Sequence, residues 1–92
     1  MVRSEIDDLL ASGDLFRYGP AAISPVAKLE SEFAEFMGVP FALAVNSCSS
    51  ALFLSLRALD IAPGAKVLIP AFTFAAVPSA VVHAGAEPVL VE

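Results

Sequence analysis

Apolar and polar positions along the chain change period several times, and each change marks an element. Phe41-Ala-Leu-Ala-Val45 is an unbroken apolar run of strand length. It stops at the small polar cluster Asn46-Ser-Cys-Ser-Ser50, and Ala51-Leu-Phe-Leu-Ser-Leu-Arg-Ala-Leu59 follows with helical spacing. The stretch is predicted to form a strand, a turn and a helix. Upstream, Ser24-Pro25 combines a capping hydroxyl with proline at the first helical position. Val26, Leu29, Phe33 and Phe36 then recur on one face, with Lys28, Glu30, Glu32 and Glu35 around them, until Gly38 and Pro40 end the pattern. This predicts an amphipathic helix lying on a core, its glutamates a solvated face and not a metal site. Near the N-terminus, Ser4 is the expected cap of a short helix with Asp7 at its third position and Ile6, Leu9 and Leu10 as its apolar face; Gly13 ends it. Asp14 to Pro20 reads as a loop.

Beyond the central unit, Leu59-Asp-Ile-Ala-Pro-Gly64 is a turn, Lys66-Val-Leu-Ile69 a strand, and Pro70-Ala-Phe-Thr-Phe74 breaks it. Ala75 to Ala84 is helical in composition, with Pro78 requiring either a late helix start or a kink. Gly85 ends that helix, and Pro88-Val-Leu-Val-Glu92 begins another strand. Helices and strands alternate, and the strands are continuously apolar, so the fold class is α/β, a mainly parallel sheet with helices on both faces and right-handed crossovers. Ligands in such sheets gather at the carboxyl ends of strands. Asn46 to Ser50 is one such end. Pro70 to Phe74 is the other, offering two aromatics and a hydroxyl at the matching level of the neighbouring strand. Phe72 reads better as a core residue.

Composition narrows the setting. Of 92 residues, 58% are hydrophobic and 16% charged, against roughly 45–50% and about 25% for ordinary soluble domains. The chain therefore has more core than surface to cover it. A net charge of −5 without a basic cluster argues against nucleic acid. One cysteine makes no internal disulfide and suits a reducing compartment, the cytoplasm. Val67 to Ala86 carries no formal charge and is long enough to span a bilayer, but Pro70 and Pro78 interrupt the backbone bonding that lipid demands. The stretch parses better as a buried strand, a turn and a short helix, and no membrane span is expected.

Ser47, Cys48, Ser49 and Ser50 fall where a helix start leaves backbone N–H groups without partners. Those donors, the helix dipole and the short hydroxyls suit a phosphate, while a plain N-cap accounts equally for one serine. An anion cradle beside aromatic side chains suits a flat, phosphorylated cofactor. Tyr18, in the loop, is explained by packing of a linker.

Tyr18-Gly-Pro20, Leu29-Glu-Ser-Glu-Phe-Ala34, Gly38, Val45-Asn-Ser-Cys-Ser-Ser-Ala-Leu52, Pro63-Gly64, Pro70-Ala-Phe-Thr-Phe74 and Ala84-Gly-Ala-Glu-Pro-Val89 come in one order and spacing. Together they resemble the amino-terminal part of the DegT/DnrJ/EryC1/StrS sugar aminotransferases, pyridoxal-phosphate enzymes of the aspartate aminotransferase fold (fold type I), over nearly the whole chain. The resemblance implies that residues 1–23 are an amino-terminal helix and entrance segment, and residues 24–92 the first part of the cofactor-binding α/β domain. It places Ser47, Cys48 and Ser49 at the cofactor phosphate, held by backbone amides and a side-chain hydroxyl. Many members have threonine where this chain has Cys48, so the thiol should contribute less than its backbone N–H. Phe74 matches the ring that stacks on the pyridine, and Tyr18 and Gly19 lie on the substrate side. The implied activity moves an amino group, usually from glutamate, to a keto group of a nucleotide-linked deoxysugar. The implied assembly is a homodimer.

The lysine and the acid that this chemistry needs lie downstream of the matched segment in the family, and neither Lys28 nor Lys66 is a credible substitute. The chain stops at Glu92, inside or just after a strand. It is therefore expected to be the first part of a protein of several hundred residues and inactive alone. Three alternatives stand beside this. One is another pyridoxal-phosphate activity on the same scaffold, a sugar dehydratase or an aminocyclitol aminotransferase. Another takes Cys48 as a nucleophile activated by a helix start, with His83 the only histidine and far along a later helix. The last is a non-catalytic fragment that binds a partner chain through exposed sheet edges.

Overall fold

A computed structural model describes residues 2–13, 15 and 24–92. Tyr18 and Gly19, with all of the Asp14–Pro20 loop except Leu15, lie outside the described residues. The elements in chain order are α1 (Val2–Ser12), α2 (Pro25–Met37), α3 (Cys48–Ala58), β1 (Lys66–Pro70), α4 (Ala76–His83) and β2 (Glu87–Val91). They fall into two compact units, Met1–Ala44 and Val45–Glu92.

In the first unit, α1 is already helical at Val2, so Ser4 lies inside the first turn and is not the cap. Gly13 leaves the helix at φ +69°, a conformation that glycine adopts without steric cost. The start of α2 follows the sequence expectation. Ser24, extended and buried, accepts a hydrogen bond from the Ala27 N–H at 3.1 Å, and Pro25 occupies the first turn. Gly38 closes the helix at φ 66°. Its N–H donates to the Glu35 carbonyl, and the Val39 N–H donates to the Ala34 carbonyl.

The apolar stripe of α2 departs from expectation. Leu29, Phe33 and Phe36 are exposed, and Ala34 is the buried residue of the helix. Amphipathic spacing says which side is apolar but does not supply what covers it, and the described residues of this unit do not. The predicted strand Phe41–Val45 is likewise irregular, with Phe41 88% exposed. An apolar run becomes a strand only when a neighbour completes its ladder, and no described strand pairs with it.

The second unit holds the sheet. β1 and β2 pair in parallel, in a register from Lys66 opposite Glu87 to Pro70 opposite Val91. Hydrogen bonds from Glu87 N–H to the Ala65 carbonyl (2.8 Å) and from Ala71 N–H to the Val91 carbonyl (2.7 Å) extend the pairing at either end. The crossover between the strands is α4, as the continuous apolar runs predicted. Its start resolves the question posed by Pro78: the helix begins late, at Ala76, so proline sits in the first turn, where no intrahelical N–H is needed. Gly85 (φ +87°) ends α4.

α4 packs against both strands, and α3 packs against α4. The core is Ile69, Val81 and Ala86, with Leu56, Ile61, Val67 and Val77 packed around it. Phe72, expected in that core, is 101% exposed on the turn after β1. No helix among the described residues is long and apolar enough to cross a membrane.

Candidate functional site

The turn before α3 is built by side chains acting on backbone. Ser47 is extended (φ −161°, ψ 156°), which points its hydroxyl over the first turn of the helix. Its Oγ accepts from the Ser50 N–H at 3.1 Å and donates to Ser50 Oγ at 2.9 Å. Ser50 Oγ in turn donates to Asn46 Oδ1 at 2.9 Å. Farther along, the Ala51 N–H reaches the Ser47 carbonyl at 3.0 Å and opens the regular ladder.

The backbone N–H groups of Cys48 and Ser49 have no acceptor among the described residues, and both residues are exposed. Two unpaired donors at the positive end of an 11-residue helix, with the Ser49 hydroxyl beside them, form a set that fits an anion. Ser47 is the cap, and this leaves the Cys48 and Ser49 N–H groups to spare. The sequence placed Ser50 and Asn46 within the polar cluster but did not reveal that their side chains fix the turn. The Ser-x-x-Ser spacing after an asparagine was the available signal.

Phe74 stands beyond the carboxyl end of β1, 79% exposed. Its carbonyl accepts from the Val77 N–H at 3.0 Å, which ties the residue to the first turn of α4. α3 packs against α4. Ser49, Ser50 and Phe53 of α3 share a groove of about 540 Å³ with Ala75, the neighbour of Phe74, and with Ser79 and His83 of α4. The described residues thus bring Ser49 and the α4 start to one groove, with the Phe74 ring exposed beside that start. A donor set without acceptors suits a phosphate, and an uncovered aromatic ring suits a flat heterocycle.

His83 lies within the same groove but is oriented by its own helix. Its Nδ1 is 2.8 Å from the Ser79 carbonyl oxygen. A carbonyl only accepts, so the proton is on Nδ1. No hydrogen bond joins His83 to Cys48 among the described residues, and the nucleophile reading of Cys48, a free and exposed thiol, gains no general base. Among the described residues no group of three or more His, Cys, Asp and Glu side chains could hold a metal ion.

Comparison with known proteins identifies the family. The DegT/DnrJ/EryC1/StrS aminotransferase family matches residues 2–92. The spore coat polysaccharide biosynthesis protein SpsC of Bacillus subtilis is 42% identical over 88 residues, covering 96% of this chain and 21% of its own length. A UDP-N-acetyl-3-dehydro-alpha-D-glucosamine 3-aminotransferase of Acidithiobacillus ferrooxidans is 47% identical over 64 residues, 70% of this chain and 17% of the enzyme. Among solved structures, Spr1654 of Streptococcus pneumoniae superposes in its PMP form with a TM-score of 0.80 at 36% identity, over 96% of this chain and 21% of that one. Its PLP form gives 0.76 at 35% identity over the same shares.

The fold is that of a segment of the fold type I pyridoxal-phosphate aminotransferases on which it superposes. The chain belongs to the DegT/DnrJ/EryC1/StrS aminotransferase family. It spans about a fifth of the length of the relatives it matches.

Proposed function

We propose that this segment supplies the phosphate cradle and the ring-stacking face of a pyridoxal-phosphate-dependent aminotransferase that aminates a nucleotide-linked keto deoxysugar with glutamate as donor. The observation that carries the reading is the pair of unpaired N–H groups on Cys48 and Ser49 at the start of α3, within a chain that belongs to this family. The aminotransferase from Acidithiobacillus ferrooxidans, whose name specifies a UDP-linked keto sugar, supports the substrate class.

In this role Cys48 and Ser49 hold the phosphate through backbone N–H groups, and the Ser49 hydroxyl adds a third donor. Ser47 acts by setting the turn, since its hydroxyl is already committed at both ends. Phe74 presents an uncovered aromatic ring against which a flat heterocycle stacks, excluding water from one face. Tyr18 and Gly19 are assigned to the substrate side by family position. The bound cofactor provides the electron sink that makes the amino-group exchange feasible.

Neither lysine suits the role of covalent anchor. Lys28 pairs with Glu32 on the exposed face of α2 at 3.8 Å, and Lys66 opens β1, at the opposite end of the strand from Phe74. The anchoring lysine and the acid facing the ring are therefore assigned to other parts of the protein. The assembly is assigned as a cytoplasmic homodimer on family grounds, and the segment alone is expected to be inactive.

A transamination assay tests the reading. The product of the complete reading frame is incubated with pyridoxal phosphate, glutamate and a panel of nucleotide-linked keto sugars. Cofactor-dependent formation of 2-oxoglutarate together with a nucleotide amino sugar is expected. A protein that binds the cofactor yet aminates no member of the panel contradicts the proposed substrate class.

A further inference from the structure

We propose that Ser50 is a positioning residue of the cradle, an assignment that rests on the cofactor reading above. Ser50 sits in the first turn of α3, and its side chain belongs to neither of the groups expected to touch a phosphate. It is nevertheless the centre of the turn's hydrogen bonding. The Ser50 N–H donates to Ser47 Oγ (3.1 Å), Ser47 Oγ donates to Ser50 Oγ (2.9 Å), and Ser50 Oγ donates to Asn46 Oδ1 (2.9 Å).

Proton counting fixes the direction of this relay. Each serine hydroxyl has one proton. That of Ser47 is used on Ser50, and that of Ser50 on the asparagine carbonyl oxygen, which only accepts. Neither hydroxyl has a proton left for a ligand. The donors left at the helix start are thus the Cys48 and Ser49 N–H groups, the Ser49 hydroxyl and the weakly donating Cys48 thiol. Ser50 therefore acts on a phosphate through Ser47 and Asn46, by holding the residues on both sides of the bend.

Replacement by alanine separates this role from capping. Ser50→Ala keeps the N–H that bonds Ser47 Oγ, so the cap survives, but it cuts both side-chain bonds. The Ser47 proton is released and the Asn46 side chain loses its partner. Ser50→Thr retains a hydroxyl at the same place. Because the groups are exposed, a modest effect is expected, the equivalent of about one hydrogen bond, or roughly three- to tenfold in affinity.

The experiment compares pyridoxal phosphate with pyridoxal, which lacks the phosphate, by equilibrium dialysis against the product of the complete reading frame. Thermal unfolding is followed in parallel. The wild-type protein is expected to prefer the phosphorylated ligand. Ser50→Ala should weaken pyridoxal phosphate about three- to tenfold and leave pyridoxal and the melting temperature nearly unchanged; Ser50→Thr should restore the preference. An unchanged preference in Ser50→Ala, or equal weakening of both ligands, overturns the role of Ser50. A wild-type protein without preference for the phosphorylated ligand overturns the cradle itself, and with it the cofactor reading.

Discussion

Glu30 Oε1 accepts a hydrogen bond from the Ala44 N–H at 2.7 Å, across fourteen positions of sequence. A carboxylate that spacing placed on a solvated face thus closes the first unit, taking a backbone donor that the irregular Phe41–Val45 run leaves without a ladder partner. The bond is charge-assisted and partly buried, so it belongs to the stronger class. Glu30→Ala should destabilise the protein by about 1–3 kcal/mol, and Glu30→Gln, which keeps an acceptor, by less. Chemical unfolding of both variants checks the ordering; equal and negligible effects would show the bond to be incidental.

The caps of α2 give a second pair of expectations. Ser24→Ala removes the acceptor of the Ala27 N–H and should cost about 1 kcal/mol. At Gly38 a new Cβ would meet nothing within 4 Å, so Gly38→Ala tests the φ of +66° alone. It should cost about 1–2 kcal/mol from the left-handed conformation without any packing change. Thermal unfolding of the two variants measures both.

The core of the second unit is small, and its centre is Ile69 and Val81, 4% and 2% exposed. Ile69→Ala should destabilise by about 2–5 kcal/mol, enough to consume a large part of the stability of an ordinary domain. The loss is read by denaturant titration, as a lower midpoint at unchanged slope.

Phe74 separates stability from binding. With its ring 79% exposed, Phe74→Ala should leave the unfolding midpoint within about 0.5 kcal/mol of wild type. The same change should weaken pyridoxal phosphate by roughly 0.5–1.5 kcal/mol through the lost stacking partner. Equilibrium binding of the cofactor to the variant decides; unchanged affinity would remove Phe74 from the site.

Much of this was legible in the sequence because it is local. Ser24-Pro25 and Gly38 carry their caps in residue type alone, and the apolar runs of β1 and β2 with a helix between them dictate a parallel pair. Pro78 left two options open, and both were physical; the late helix start at Ala76 chose one. What sequence could not supply was partnership. Phe41–Val45 has a strand's composition but no described neighbour, and the Leu29, Phe33 and Phe36 stripe has a core's periodicity but no described cover. Phe72 has a core residue's chemistry and stands in solvent. Ser4 misled because a capping residue type also occurs inside a first turn. At the site, the cap and the cradle looked like rivals, since residue types do not reveal that Ser47 and Ser50 share the capping while Cys48 and Ser49 stay unpaired.

The most direct test of the cradle is a crystal structure of the complete protein with pyridoxal phosphate bound. The expected result is a phosphate within hydrogen-bond distance of the Cys48 and Ser49 N–H groups, with the Phe74 ring stacked on the pyridine. A phosphate held elsewhere, with the start of α3 facing only water, would contradict it.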